Sequence, residues 1–224
     1  GFYARLEGDE PAFEDRADDL GVAQPSAPWL GFGTVFADVD NDGFQDLLVV
    51  NGHIRDDIAV LEPGQSFAQP ALLLRSRSGG QYEEMSSFAG PPLTTTAVRR
   101  GLAAGDLDND GRLDLVVTSN GGPAEIWRNE CPPMGRWLSV RLQGRPPNRD
   151  ALGAQVRVRV GDRSLSRVVA SGGSYLSESD RRLHWGLGGA AAYDALEVRW
   201  PDGTRQNLPG GPANRFLTLR QERN

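Results

Sequence analysis

A chain of 224 residues that is 38% hydrophobic can bury the core of one large or two small domains, and its 28 glycines and 15 prolines favour turns over long helices. No apolar run approaches the ~18–20 residues that span a bilayer, and the single Cys131 excludes an internal disulfide. The net charge of −6 conceals an asymmetry: residues 1–134 carry 22 acids and 9 arginines, residues 135–224 carry 8 acids and 15 arginines, and there is no lysine. A change of sign of that size predicts a domain boundary near residue 134.

In chain order, the first strong signal is an internal repeat. "GTVFADVDNDGFQDLLV" (33–49) lies over "GLAAGDLDNDGRLDLVV" (101–117) with nine identities, no gap and an offset of 68. A second echo, "AFEDRADDLG" ending at Gly21 against "QYEEMSSFAG" ending at Gly90, has an offset of 69. A period of this length suits one multi-stranded sheet per repeat, as in a propeller blade. "DLLVVN" and "DLVVTS" read as short strands, and "ALLLRSRSGGQYEEM" as a hairpin. No stretch of 1–134 keeps a 3.6-residue apolar period, so this half is expected to be all-β.

Each repeat opens with a loop whose acids stand at relative positions 1, 3, 5 and 9: Asp38, Asp40, Asp42 and Asp46, then Asp106, Asp108, Asp110 and Asp114. Four carboxylates within nine residues repel one another, and a hard divalent cation reverses the sign of that energy. Calcium takes 6–8 oxygens, commonly from side chains at positions 1, 3 and 5 and the carbonyl at position 7, here Phe44 and Arg112. Gly43 and Gly111, at position 6, permit the sharp turn. Magnesium, with tighter octahedral demands, is the weaker candidate. An EF-hand is excluded: position 12 holds Val49 and Val117 rather than an acid, and strands rather than helices follow.

"FADVDNDGFQDLLVVNGH" and "AAGDLDNDGRLDLVVTSNGGP" resemble the FG-GAP/VCBS repeats of integrin-like β-propellers. The resemblance implies two Ca²⁺ sites, one of Asp38, Asp40, Asp42, the Phe44 carbonyl and Asp46, the other of Asp106, Asp108, Asp110, the Arg112 carbonyl and Asp114. On this reading the calcium is structural, closing a turn beside each blade strand. The copies differ by a long segment, "HIRDDIAVLEPGQSFAQP" (53–70), expected as a rim loop of the first blade.

From Trp137 the apolar period becomes two. Leu138, Val140 and Leu142 alternate with Ser139 and Arg141; Ala154, Val156, Val158 and Val160 alternate with Gln155, Arg157 and Arg159; Leu196, Val198 and Trp200 alternate with Glu197 and Arg199. Half-buried antiparallel strands explain this, with arginine on the wet side of a small sandwich. "NRDALGAQVRVRVG", "SGGSYLSESDRRLHWGLG" and "ALEVRWPDGTRQNL" resemble the ASPIC/UnbV domain, although that family usually has Gln where Glu178 stands. The resemblance implies no particular reaction.

Other chemistry is thinly represented. His53, His184 and Cys131 are too scattered for a zinc site, and His184 is expected to bond backbone at a strand end. No nucleophile elbow precedes a helix, and "GLGGAA" (186–191) has no helix after it for a dinucleotide site. Nucleic acid is not expected, since no aromatics interleave the arginines; the arginine face instead meets solvent, a polyanion or the acidic first half.

The reading is an all-β protein: a partial β-propeller of about two calcium-loop blades over 1–133, then a C-terminal antiparallel β-sandwich over 134–224. The remaining blades are expected from sequence upstream of Gly1 or from another chain. The expected role is binding or matrix interaction, with structural calcium in the propeller loops and a protein or glycan partner, by a secreted, periplasmic or cell-surface protein without a transmembrane segment. The rivals are an enzyme using the propeller face on a glycan or secondary metabolite, favoured by a buried His–carboxylate pair, and a structural assembly subunit.

Overall fold

A computed structural model describes residues 2–5, 12–78, 80–132 and 135–222. The boundary expected at 133/134 therefore lies outside the described residues. The described chain is all-β, with short strands joined by turns and single helical turns.

β1 (Tyr3–Arg5) and β2 (Phe13–Asp15) form an antiparallel hairpin. β3 (Gly31–Ala37), β4 (Asp46–Asn51), β5 (Leu72–Ser76) and β6 (Tyr82–Glu84) follow as a four-stranded antiparallel sheet in chain order. β7 (Arg99–Gly105), β8 (Asp114–Ser119) and β9 (Glu125–Trp127) form a three-stranded sheet. The repeat survives in the register: Ala37 pairs with Asp46 and Leu47 with Leu74, as Gly105 pairs with Asp114 and Leu115 with Trp127. The weaker echo of offset 69 places β2 on β6, so the N-terminal hairpin holds the place of the last two strands of a preceding sheet.

The two sheets pack face to face through Val35, Leu48, Leu73, Leu102, Leu115, Val117 and Trp127. Every residue of β4 is buried or half-buried, which is why its sequence runs apolar rather than alternating.

β10 (Arg136–Gln143), β11 (Gln155–Val160) and β12 (Arg163–Val168) open the second unit. A small hairpin, β13 (Gly173–Ser174) with β14 (Ser177–Glu178), precedes β15 (Leu183–Gly188), β16 (Ala192–Arg199), β17 (Arg205–Pro212) and β18 (Arg215–Arg220). These make two sheets, ordered β15-β10-β18 and β12-β11-β16-β17. One pair, β10 with β18, is parallel, because the chain crosses from β17 in one sheet to the edge of the other. Trp185, fully buried, sits among Leu138, Val140, Val156, Val158, Leu196 and Val198 between the sheets.

The period-two pattern holds with one departure. Arg157 and Arg159 face out while Val156 and Val158 face in, but Ser139, expected on a wet face, is 2% exposed. The cause is the first unit, which covers that face of β10. The β13–β14 hairpin extends this cover to the unpaired inner edges of β3 and β7: Thr34 N–H donates to Ser174 Oγ (3.1 Å), Ala104 N–H to Ser179 Oγ (3.1 Å), and Asp180 N–H to the Ala104 carbonyl (2.9 Å). Phe32 meets Tyr175 edge to face at 5.1 Å.

Truncating the central aromatic, Trp185→Ala, removes the largest fully buried side chain of the second unit. It is expected to cost about 3–5 kcal/mol, read as a lower urea midpoint with unchanged slope.

Candidate metal centres beneath the second unit

The two acidic loops lie between β3 and β4 and between β7 and β8, each closing a hairpin. Asn41 and Asn109 both adopt left-handed φ of 61°, followed by Gly43 at 93° and Gly111 at 87°. Two left-handed residues so close together fold the loop back on itself, and asparagine and glycine tolerate this at least cost.

The acids divide by role. Asp46 accepts from Val39 N–H (3.1 Å) and Ser76 N–H (2.8 Å), and Asp114 from Leu107 N–H (3.1 Å) and Asn129 N–H (2.8 Å). Each position-9 carboxylate thus ties its loop to the end of the third strand or the residues just after it. Asp38 Oδ2 accepts from Gly43 N–H (2.9 Å), and Asp106 Oδ2 from Gly111 N–H (2.9 Å). Asp42 Oδ1 takes Phe44 N–H (2.8 Å) and Asp110 Oδ1 takes Arg112 N–H (2.9 Å).

Two carboxylate clusters can hold a metal ion: Asp38, Asp40 and Asp42 in the first loop, and Asp106, Asp108 and Asp114 in the second. The sets are not superimposable, since Asp46 stays out of the first and Asp110 out of the second. An arginine approaches each loop, Arg75 of β5 at 2.6 Å from Asp40 and Arg128, just after β9, at 2.9 Å from Asp108. Asp110 also pairs with Arg112.

The fit to a cation is best at Asp38. This side chain is 2% exposed, and its Oδ1 is buried with no hydrogen-bond partner. Burial, reinforced by the neighbouring Asp42, raises its pKa to about 7. Burial also lifts Asp46 to about 6, against the pull of its two backbone donors. Asp106 is raised in the same direction, burial first. Carboxylates held like this are short of positive charge. The Arg163 guanidinium lies over the Phe44 ring at 4.5 Å.

Docking on the acidic first half was one of the alternatives open for the arginine-rich second half; in the structure that unit covers the first loop and reaches the second, whose residues 107–110 stay exposed. Asn41 Nδ2 donates to the Gly111 carbonyl (3.0 Å), joining one loop to the other. That fixes the amide so that Oδ1 faces His184 Nε2 at 2.7 Å. Its counterpart Asn109 accepts from Arg182 Nη1 at 2.6 Å, and Arg182 also donates to the Asp106 carbonyl. Arg163 donates to the Gly43 carbonyl, and Gly188 N–H to the Asn41 carbonyl (3.0 Å). The equivalent asparagines of the two repeats are thus read by adjacent strand-end residues of one partner unit.

His184 therefore bonds a side-chain amide of the other unit, not backbone at its own strand end. Burial, with Arg167 and Arg182 nearby, holds it down at about 4. The imidazole is neutral, donating through Nε2 and stacked on Trp137 (6.2 Å, 17°). Its contact is Asn41 rather than a carboxylate. A cavity of about 140 Å³ between the units is walled by Asp38, Asp106, Ser139, Arg167 and His184. The one sequence signal for this docking was the charge asymmetry of the two halves.

Comparison with known proteins places these features. Residues 144–224 match the family model described as ASPIC and UnbV, and residues 50–117 match the model of the FG-GAP-like repeat. The second acidic loop lies inside the latter span and the first lies before it. The two matches thus follow one another along the chain, the FG-GAP-like repeat first and ASPIC and UnbV second. The chain is similar to cartilage acidic protein 1 of Homo sapiens, 32% identical over 120 residues covering 51% of this chain and 18% of that protein. The Xenopus tropicalis protein of the same name is 33% identical over 125 residues, 53% of this chain and 19% of its own. The chain spans about a fifth of the length of these curated relatives.

The close seating of the second unit makes Gly186 intolerant: a Cβ there would run into the Asp38 carboxylate and stand 2.6 Å from Asn41 Cα. Gly186→Ala is expected to cost about 1–3 kcal/mol or more in thermal unfolding and to expose the loops to proteases. Gly189→Ala, where nothing lies within 4 Å, is expected to leave both readouts unchanged.

Proposed function

We propose that the chain is a calcium-stabilised binding module of a secreted, periplasmic or cell-surface protein. Its repeats over 1–133 supply rigid propeller blades, and the sandwich over 134–224 is clamped across their acidic loops. The observation that carries this is Asp38: a buried carboxylate with an unpartnered oxygen, pushed up to about 7, beside Asp40 and Asp42. Such a group costs stability until a cation neutralises it.

The ligands proposed are Asp38, Asp40, Asp42, the Phe44 carbonyl and Asp46 at one site, and Asp106, Asp108, Asp110, the Arg112 carbonyl and Asp114 at the other. Asp46 and Asp114 already serve two backbone donors each, so their share is to orient the loop as much as to ligate. Bound calcium would supply the positive charge that Arg75 and Arg128 bring to Asp40 and Asp108 in this structure. Sites of this charge and exposure suit the ~10⁻⁴–10⁻³ M affinities of extracellular modules, which favours placement outside the cytoplasm. Similarity to cartilage acidic protein 1 supports a matrix-contacting role.

Further blades, from upstream sequence or another chain, would cover the outer edge of β1 and complete the ring. The segment 53–70, with its helical turn Ile58–Leu61, offers a protein-contact rim: Ile54, Val60 and Leu61 are 69%, 84% and 52% exposed.

Calorimetric titration is expected to show calcium uptake. At a hundredfold excess over Kd, two sites add about 5 kcal/mol and raise Tm by about 10–20 °C over protein in chelator. Asp38→Asn is expected to abolish one site while stabilising the metal-free protein, since it removes a buried uncompensated charge. A folded protein without calcium heat, and with a Tm indifferent to chelator, would falsify the reading.

The pH dependence has a definite sign. Asp38 is raised in the fold, so the metal-free protein gains from its protonation below about 7 and loses that contribution as pH rises from about 4 to about 7. Calcium must displace that proton. Affinity at this site is therefore expected to fall about tenfold per unit below pH 7, with binding heats that vary with the buffer's ionisation enthalpy.

A further inference from the structure

The outer face of the β12-β11-β16-β17 sheet carries the inference furthest. We propose that this face binds a linear sulfated polysaccharide through Arg157, Arg159, Arg199 and Arg205.

The sheet register sets the arrangement. Val156 and Val158 pair with Val198 and Leu196 in the core, so the alternate residues of these strands point away from it. On that outer side Arg157 stands opposite Glu197, and Arg199 stands directly opposite Arg205. Like charges facing each other across antiparallel strands destabilise a sheet. Glu197 relieves only part of this: it pairs with Arg205 at 3.0 Å and lies 4.0 Å from Arg157. Arg159 and Arg199 form no ion pair among the described residues. Asp194, at the margin, is held by Gly161 N–H (2.7 Å). An overall acidic protein of net charge −6 thus keeps an unneutralised arginine cluster on one flat face.

The spacing chooses the ligand. Neighbouring strands lie ~4.8 Å apart and alternate residues along a strand about 6.7 Å apart. These guanidinium groups are therefore spread across a surface instead of converging on one point, which matches a chain of repeated anions better than a single small one. The planar fork of arginine pairs bidentately with oxyanions such as sulfate. Ser164 and Ser166, exposed on β12 and paired with Arg159 and Arg157, add hydroxyls for sugar contacts. A nucleic-acid strand would need aromatic platforms, and the exposed positions of β11, β12, β16 and β17 hold none.

This inference names a partner for the proposed binding role and rests on it, but its test is separate from the metal. The whole chain is passed over immobilised heparin at about 0.15 M salt, in calcium and in chelator. Retention is expected, with release at higher salt. Arg159→Ser with Arg199→Ser, which breaks no ion pair, is expected to weaken apparent affinity about tenfold while Tm stays level or rises. Arg16→Ser with Arg77→Ser, on the first unit, is expected to change nothing. Free heparin should compete, and an unsulfated polysaccharide or a single-stranded oligonucleotide of equal charge should not. Absence of retention, equal elution of the first double variant, or equal competition by the oligonucleotide overturns the proposal. A protein that binds calcium and ignores heparin loses this inference and keeps the module reading.

Discussion

The arrangement depends on carboxylate charge placed where water cannot reach it. A surface cluster of aspartates costs little, because solvent screens it. The first loop is different: Asp38 and Asp46 are almost wholly buried, Asp38 against the second folded unit and Asp46 within its own sheet. Burial makes each like-charge contact more expensive and each donor more valuable. The loop answers with backbone N–H groups, a strand arginine and, on the proposed reading, a divalent ion. Its geometry, its tolerance of substitution and its coupling to the sandwich all follow from that constraint.

The two loops meet the constraint unequally. Asp108 is exposed and Asp106 less perturbed, so the second loop carries a lighter electrostatic load than the first. Near-identical sequences thus have different energetics, decided by what lies over them. His184 and the two glycines at 186 and 188 sit on Asn41, whereas Arg182 reaches toward Asn109 from the side. A neutral imidazole is suited to the more crowded position, where a cation would have to lose its hydration.

Much of the fold was legible because its determinants are local. The 68-residue offset, the left-handed "NDG" turns and the alternation around Val156 and Val158 each act through neighbouring residues, and strands appear where those patterns place them. The acids of the loops were equally plain. The docking was hidden, because Ser139, His184 and Arg163 have sequence surroundings that fit an exposed strand as well as a covered one. Their burial depends on a surface more than a hundred residues away in the chain, which no local period encodes. The sign change between the halves was the only trace of it. The different placement of Asp46, outside its carboxylate cluster, and Asp114, inside its own, was also out of reach, since it turns on ångström-scale differences between loops that match residue for residue.

The parallel pairing of β10 with β18 bears on how the chain matures. The strand that opens the sandwich cannot complete its sheet until the strand that closes it has been made, so the second unit must assemble late on the ribosome or after release. The blades, built from neighbouring strands, are ready sooner and would wait with their acidic loops uncovered. During that interval the loops are hydrated and open to ions, and the sandwich then shuts over them. On the calcium reading, loading of the first loop before closure would make ion exchange there slow and limited by partial unfolding, while the exposed second loop would exchange by diffusion.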